Sequence, residues 1–157
     1  MDIKMKPKTY QYEVEVRWSG EKRGALTAAG KQGLEVASPP EFRGHPGIWS
    51  PEDLLVAAVN SCTMTTFLSA AKRRGIDLIS YECDAIGTLE TAEGVFRFTR
   101  VVLKPRIVVG RPEQIDVARE AFHEAEAGCL IANSILAKVQ ADPKITAIVP
   151  AHIGIAS

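Results

Sequence analysis

The chain has 157 residues, of which 46% are hydrophobic, 6% aromatic and 24% charged, the proportions of an ordinary folded protein and not of a disordered or fibrous one. Its 19 Lys and Arg balance 19 Asp and Glu. Zero net charge lacks the basic footprint of a dedicated nucleic-acid binder and leaves no net repulsion to oppose self-association. The length fits one domain over residues 1–157 with a sizeable core.

Met1 to Lys8 is polar and lysine-bearing, with no apolar stretch behind it, so the expected location is cytoplasmic. Tyr12, Val14, Val16 and Trp18 alternate with Glu13, Glu15 and Arg17, which predicts a half-buried strand. After a turn over Gly20–Gly24, short strands are expected at Ala25–Ala28 and Gly33–Ala37, completing a meander. Ser38 to Trp49 holds three prolines and two glycines and reads as a long loop, a length usually reserved for function or disorder.

Ser50-Pro51-Glu52-Asp53 announces a helix. Ser50 can cap it, Pro51 suits its first position and Asp53 sits at the reciprocal capping-box position. It should run to about Arg74 and stop at Gly75. The uncharged stretch Leu54–Ala71 approaches the length of a membrane span, but Asn60, Ser61, Thr63, Thr65, Thr66 and Ser69 lie inside it. A central helix buried on most sides is expected instead.

Ile79, Tyr81, Cys83, Ala85 and Gly87 alternate with polar residues, predicting a strand. Glu93-Gly94 reads as a hairpin turn and Val95–Val109 as one long strand, bent at Pro105. Pro112 opens a second helix ending near Gly128. A third helix is expected over Leu130–Gln140, and a last edge strand over Lys144–Val149. Strands and helices grouped in this order predict an α+β fold with antiparallel sheet.

Three cysteines, Cys62, Cys83 and Cys129, are too few for a secreted disulfide framework and have no Cys-x-x-Cys spacing. Cys62 lies about three turns into its helix, beyond reach of the helix dipole. Burial there would raise its pKa and make it inert, so a reactive Cys62 needs an imported cation. Arg43, on the loop, and Arg23, at the first turn, are the candidates. Cys129 follows Gly128 at an expected helix start. It reads either as a thiolate favoured by unpaired N–H groups or as a packed thiol at a junction. Cys83 reads as core. Glu52 complements the helix dipole, and it stands roughly 15 Å along the axis from Cys62, too far to touch it. His45, His123 and His152 are scattered, no zinc-like ligand pairs exist, and no phosphate loop or nucleophile elbow appears.

The run from Ser50-Pro51-Glu52-Asp53 through Asn60-Ser61-Cys62 resembles the proline-glutamate–helix–cysteine signature of the OsmC/Ohr superfamily. Ala125-Glu126-Ala127-Gly128-Cys129 resembles its second cysteine motif, and Pro39-Pro40-Glu41-Phe42-Arg43-Gly44 the loop before the first. The element order matches over about Tyr10 to Val149. Thr63 stands where an aromatic residue is usual and Leu130 where Pro is common, marks of a divergent branch.

The resemblance implies two intertwined subunits, antiparallel sheets wrapped around long central helices, and active sites at the dimer interface. It implies thiol-dependent reduction of organic hydroperoxides and hydrogen peroxide. Cys62 would be the peroxidatic thiolate, an arginine (Arg43, with Arg23 as alternative) would stabilise it, and Glu52 would orient that arginine. Cys129 would resolve the sulfenic acid as a disulfide, which an external dithiol, lipoyl-type in relatives, would reduce. No metal, organic cofactor, nucleic acid or membrane is implied. Two rival readings of the same resemblance are a non-enzymatic dimer that binds a small apolar ligand and a thiol redox sensor; a structural Cys/His metal protein is a third.

Overall fold

The structure, a computed structural model, describes residues 8–148. The strands are β1 (Glu15–Gly20), β2 (Arg23–Thr27), β3 (Leu34–Ala37), β4 (Leu78–Ala92), β5 (Val95–Val109), β6 (Lys138–Ala141) and β7 (Lys144–Ala147); the helices are α1 (Pro51–Arg73) and α2 (Ile115–Gly128). The α+β class is as expected. Contacts divide the chain into two compact units, the first ending at Leu54 and the second beginning at Leu55.

In the first unit β1, β2 and β3 form an antiparallel meander, with Glu15 opposite Thr27 and Arg23 opposite Ala37. The N-terminal strand differs from expectation. It begins at Glu15, and its apolar side is open, not half-buried: Tyr12 is 91% exposed, Val16 64% and Trp18 79%. The alternation is real, but no layer among the described residues covers it. The long loop after β3 is ordered by local bonds. A 3-10 turn at Pro40–Phe42 ends on Arg43 at φ 57°. Lys22 Nζ donates to the Phe42 carbonyl at 2.6 Å, His45 Nε2 lies 3.1 Å from the Glu21 carboxylate, and the Ala37 N–H donates to the Trp49 carbonyl at 2.9 Å. Gly44 is required here, because a Cβ would fall 1.7 Å from the Ser38 carbonyl oxygen.

Helix α1 starts as its sequence dictates. Ser50 Oγ accepts from the Asp53 N–H at 3.0 Å, and the Asp53 carboxylate accepts from the Ser50 N–H at 2.9 Å, a reciprocal capping box. The helix ends in a Schellman motif. Gly75, at φ 65°, donates to Lys72, and Ile76 donates to Ala71. Among the described residues α1 is the one helix long and apolar enough to cross a membrane.

In the second unit, α1 and α2 lie on one face of a four-stranded sheet. Val59, Thr63, Phe67, Ala70 and Ala71 form the buried stripe of α1. Phe67 meets Tyr81 and Phe122 at ring separations of 5.6 and 5.9 Å. Val101, Leu103, Ile107 and Val109 of β5 supply the sheet side of the core. The expectation that α1 is buried on most sides is therefore corrected: one face is buried, and Ser61, Thr65, Leu68 and Ser69 are exposed. Among the described residues of the second unit, the sheet and α2 cover that one face.

β4 and β5 pair antiparallel through the Glu93-Gly94 turn, as read. A bulge between Leu78 and Ser80 turns Ile79 outward, against the expected alternation. Two strands then add to β5 in parallel, Arg100–Leu103 against β6 and Arg106–Val109 against β7. Pro105 falls in the interval between them. Leu103 and Val109 accept bonds from Asp142 and Ile148 on that side. By strand alternation the N–H that Pro105 lacks would point into the same gap, so the proline costs the sheet nothing.

The expected third helix over Leu130–Gln140 is absent. A 3-10 turn at Ala132–Ser134 and strand β6 take its place. Asn133 Nδ2 donates to the Ala127 carbonyl at 3.0 Å and Ser134 Oγ to the Leu130 carbonyl at 2.7 Å. These side chains compete with helical bonding, while the Lys138–Ala141 alternation finds a free edge of β5. Of the final strand, Lys144–Ala147 forms β7 and Val149 lies outside the described residues.

Candidate active site

The second unit brings Cys62 and Cys129 together. Cys62 sits on α1 one residue before the buried Thr63, so its side chain lies at the margin of the packed stripe, partly exposed. Cys129 closes α2. Its backbone leaves the helix at φ −68°, ψ 107°, and its side chain is 1% exposed. The Thr63 hydroxyl donates to the Val59 carbonyl at 3.0 Å and lies 3.5 Å from Cys129 Sγ, which itself lies 4.0 Å from that carbonyl. The Ala132 N–H donates to Cys129 Sγ at 3.5 Å. The Cys129 thiol in turn hydrogen-bonds Cys62.

The acidity of Cys62 departs from the expectation that it would be inert without an imported cation. Desolvation pushes its pKa up. The Ile131 N–H, the Cys129 thiol, the Leu130 N–H and the Thr66 hydroxyl, which donates to the Cys62 carbonyl at 2.8 Å, push it down, and the net shift is below the ordinary thiol value. Every one of these partners is neutral. The residues that sequence reasoning missed are thus Leu130 and Ile131, acting through the backbone. Unpaired N–H groups after Gly128 were legible, but they were assigned to Cys129. They divide between the two sulfurs, because the chain leaves α2 in a turn and not in a new helix.

Cys83 lies on β4 opposite Pro105. Burial pushes its pKa up, and the Lys104 N–H, the Tyr81 hydroxyl and the Arg106 charge do not offset it. Its carbonyl accepts from Asn60 Nδ2 at 3.0 Å, tying β4 to α1. This agrees with its reading as a core residue.

The other site residues lie in the first unit. Glu52, in the first turn of α1, has a buried Oε2 with no hydrogen-bond donor. Arg23 opens β2 and makes long ion pairs, 3.7 Å to Glu21 and 3.8 Å to Glu35, while its buried Nε has no acceptor. Arg43 is exposed and makes no ion pair among the described residues. His123 Nδ1 is 3.1 Å from the Glu126 carboxylate on the exposed side of α2. His152 lies outside the described residues, among which no group of three His, Cys, Asp or Glu side chains could hold a metal.

What the second unit offers chemically is a partly exposed thiol of lowered pKa and a second, buried thiol that favours its ionised form. Such a pair can be oxidised at the first sulfur and closed to a disulfide by the second.

Comparison with known proteins gives a consistent result. The family profile described as OsmC-like protein matches residues 44–144. The uncharacterized protein YmaD of Bacillus subtilis is 20% identical over 135 residues, 83% of this chain and 90% of its own. An OsmC-like protein of unknown function from Vibrio cholerae superposes with a TM-score of 0.80 at 24% identity, covering 87% of this chain and 100% of that one. An organic hydroperoxide resistance protein from Elizabethkingia anophelis does so with a TM-score of 0.68 at 20% identity, covering 89% and 96%. At these identities the solved structures establish the fold.

Proposed function

The chain belongs to the OsmC-like protein family, and on that premise we propose that it is a thiol peroxidase that reduces organic hydroperoxides and hydrogen peroxide. The observation that carries the proposal is that the second unit sets the partly exposed Cys62 next to Thr63, whose hydroxyl lies 3.5 Å from the buried Cys129 sulfur, with the Cys129 thiol favouring the Cys62 thiolate. The Elizabethkingia relative's name, an organic hydroperoxide resistance protein, points the same way.

The reaction balances with no metal or organic cofactor. The Cys62 thiolate attacks one peroxide oxygen, the O–O bond breaks, and the alkoxide leaves and takes a proton to become the alcohol. Cys62 is left as a sulfenic acid. The Cys129 thiol displaces its hydroxyl, forming the S–S bond and releasing water. A dithiol, proposed to be lipoyl-type, then reduces the disulfide by exchange and is itself oxidised to a disulfide. A non-enzymatic binding role would leave Cys62 at or above the ordinary thiol pKa, and its lowered value favours the enzyme.

The proposal extends to a cytoplasmic homodimer in which Glu52 and an arginine complete the site. Arg43 was the expected cation. The buried Nε of Arg23, with no acceptor, and the buried Oε2 of Glu52, with no donor, are complementary orphans, and they favour Arg23.

The test is dithiol-dependent consumption of cumene hydroperoxide and hydrogen peroxide by the wild type. Sustained turnover, lost in one of Arg23→Ala and Arg43→Ala and kept in the other, is the expected result. No turnover by folded, reduced protein with lipoyl or simple dithiols would transfer the reading to the binding or sensor role.

A further inference from the structure

We propose that Thr63 is a positioning residue for the second sulfur: its hydroxyl turns from the Val59 carbonyl to Cys129 Sγ as Cys129 gives up its proton, and so steadies the resolving thiolate. The proposal rests on the reading of Cys129 as the residue that closes the disulfide. It adds what lets a buried thiol do so.

Cys129 is an unfavourable place for negative charge. Its side chain is buried, and it stands at the C-terminal end of α2, the negative end of the helix dipole. Three neutral groups lie against its sulfur. The Ala132 N–H donates to Sγ at 3.5 Å, Thr63 Oγ1 lies at 3.5 Å, and the Val59 carbonyl oxygen lies at 4.0 Å. Thr63 Oγ1 is itself 3.0 Å from that carbonyl. Hydroxyl, sulfur and carbonyl therefore form a closed triangle, and Thr63 is as buried as Cys129.

A hydroxyl carries one proton, and the triangle offers it two acceptors. While Cys129 is a thiol, the Thr63 proton goes to the Val59 carbonyl, the nearer acceptor. Once Cys129 is a thiolate, its sulfur is the stronger acceptor, because a hydrogen bond to an ion is about twice as strong as one between neutral groups. Rotation about the Cβ–Oγ1 bond moves the proton onto the sulfur and displaces no heavy atom. The Val59 carbonyl loses little, since a threonine's bond to the carbonyl four residues back is an addition to the helix's own N–H bond. The thiolate thus gains a second donor, beside the Ala132 N–H, as its charge appears. In the resolving step Cys129 Sγ attacks the Cys62 sulfur. The S–S bond forms, the S–O bond of the sulfenic acid breaks, and hydroxide leaves with the Cys129 proton as water. When a dithiol later attacks Cys62, Cys129 leaves as the thiolate and meets the same two donors.

Four side chains at position 63 separate hydroxyl from size. Thr and Ser carry the hydroxyl, Val and Ala lack it, and Val has the shape of Thr. The probe is the aromatic disulfide DTNB, applied to the full chain in a Cys83→Ser background so that only Cys62 and Cys129 react. Cys62 displaces one nitrothiophenolate and becomes a mixed disulfide. Cys129 then attacks the Cys62 sulfur, its proton passes to solvent, and the second nitrothiophenolate leaves. The second release, read by absorbance at several pH values, is the measurement. The titratable group facing Cys129 from α1 is Cys62, which is blocked and uncharged during this step; Glu126 of α2 pairs with His123 on the exposed side. Thr63→Val and Thr63→Ala should slow the second release about tenfold at neutral pH and move its pH profile upward, with the first release within about twofold of wild type. Thr63→Ser should keep both rates within about threefold. Rates that sort by side-chain size, a Thr63→Val second release equal to wild type, or a wild type that releases only one nitrothiophenolate overturns the proposal.

Should Thr63→Val fail to fold by circular dichroism, Thr63→Ala against Thr63→Ser makes the same comparison at a smaller size. No peroxide enters these measurements. A hydroxyl-dependent second release with no peroxide turnover would end the peroxidase reading alone. Peroxide turnover with a second release indifferent to the hydroxyl would end the role of Thr63 alone.

Discussion

Cys62 and Cys83 are the same residue type in the same unit, and both are partly buried, yet their acidities move in opposite directions. Desolvation is the largest influence on each and pushes both up. At Cys83 the opposing set is the Lys104 N–H, the Tyr81 hydroxyl and the distant Arg106, with Asp84 working against them. At Cys62 it is two N–H groups, a thiol and a hydroxyl, none opposed by a nearby carboxylate. Burial therefore does not separate a reactive cysteine from an inert one here. The polar groups around the sulfur do, four lowering influences at Cys62 against three at Cys83 that Asp84 opposes.

The sharpest way to break this comparison is to exchange each thiol for a hydroxyl. Cys62→Ser should reduce dithiol-dependent peroxide consumption to background. Cys83→Ser should keep wild-type turnover, since its thiol donates to the Asp84 carbonyl and packs at the edge of the Val59–Leu103 cluster, away from the Cys62–Cys129 pair. Equal losses in the two variants, with folding intact by circular dichroism, would erase the distinction.

Cys129→Ser separates attack from resolution within the reactive pair. One equivalent of hydroperoxide should be consumed and catalysis should then stop, with mass spectrometry finding Cys62 as sulfenic or sulfinic acid. The variant also loses a group that favours the Cys62 thiolate, so alkylation of Cys62 at neutral pH should slow. Undiminished multiple turnover would remove Cys129 from the mechanism.

How far these two environments could be read beforehand depends on how local their causes are. The α1 boundaries were legible because Ser50, Asp53 and Gly75 act within a turn of themselves. The Glu93-Gly94 turn and the Val95–Val109 strand were legible for the same reason. The pairing of Cys62 with Cys129 came from motif resemblance, not from spacing, since the contact closes across two elements far apart in the chain. The segment after Cys129 was misread as a helix. Its apolar pattern fits one, but Asn133 and Ser134 spend their side chains on backbone carbonyls, and β5 offers an edge to Lys138–Ala141. The open face of Tyr12, Val14, Val16 and Trp18 was legible as alternation but not as exposure, because what covers a strand is a property of other elements.

The smallest expected effect sharpens the comparison through stability. Ionised Cys62 is favoured by the fold, so its folded pKa lies below the unfolded one. Its contribution is complete above the unfolded thiol pKa and fades as pH falls through the folded value. Cys83 has the opposite sign. Its folded pKa is raised, so the fold favours the neutral thiol; that contribution is complete below the unfolded pKa and is lost as pH rises through the folded one. Melting temperatures of the wild type, Cys62→Ser and Cys83→Ser between pH 6 and 9.5 should therefore diverge in a defined way. The deficit of Cys62→Ser relative to wild type should widen toward alkaline pH, and that of Cys83→Ser should narrow. Both sulfurs are partly solvated, so the changes will be small, and a difference taken between the two variants cancels whatever alkaline pH does to the rest of the protein. Parallel curves would mean that the donors around Cys62 do no more for its charge than the strand does for Cys83.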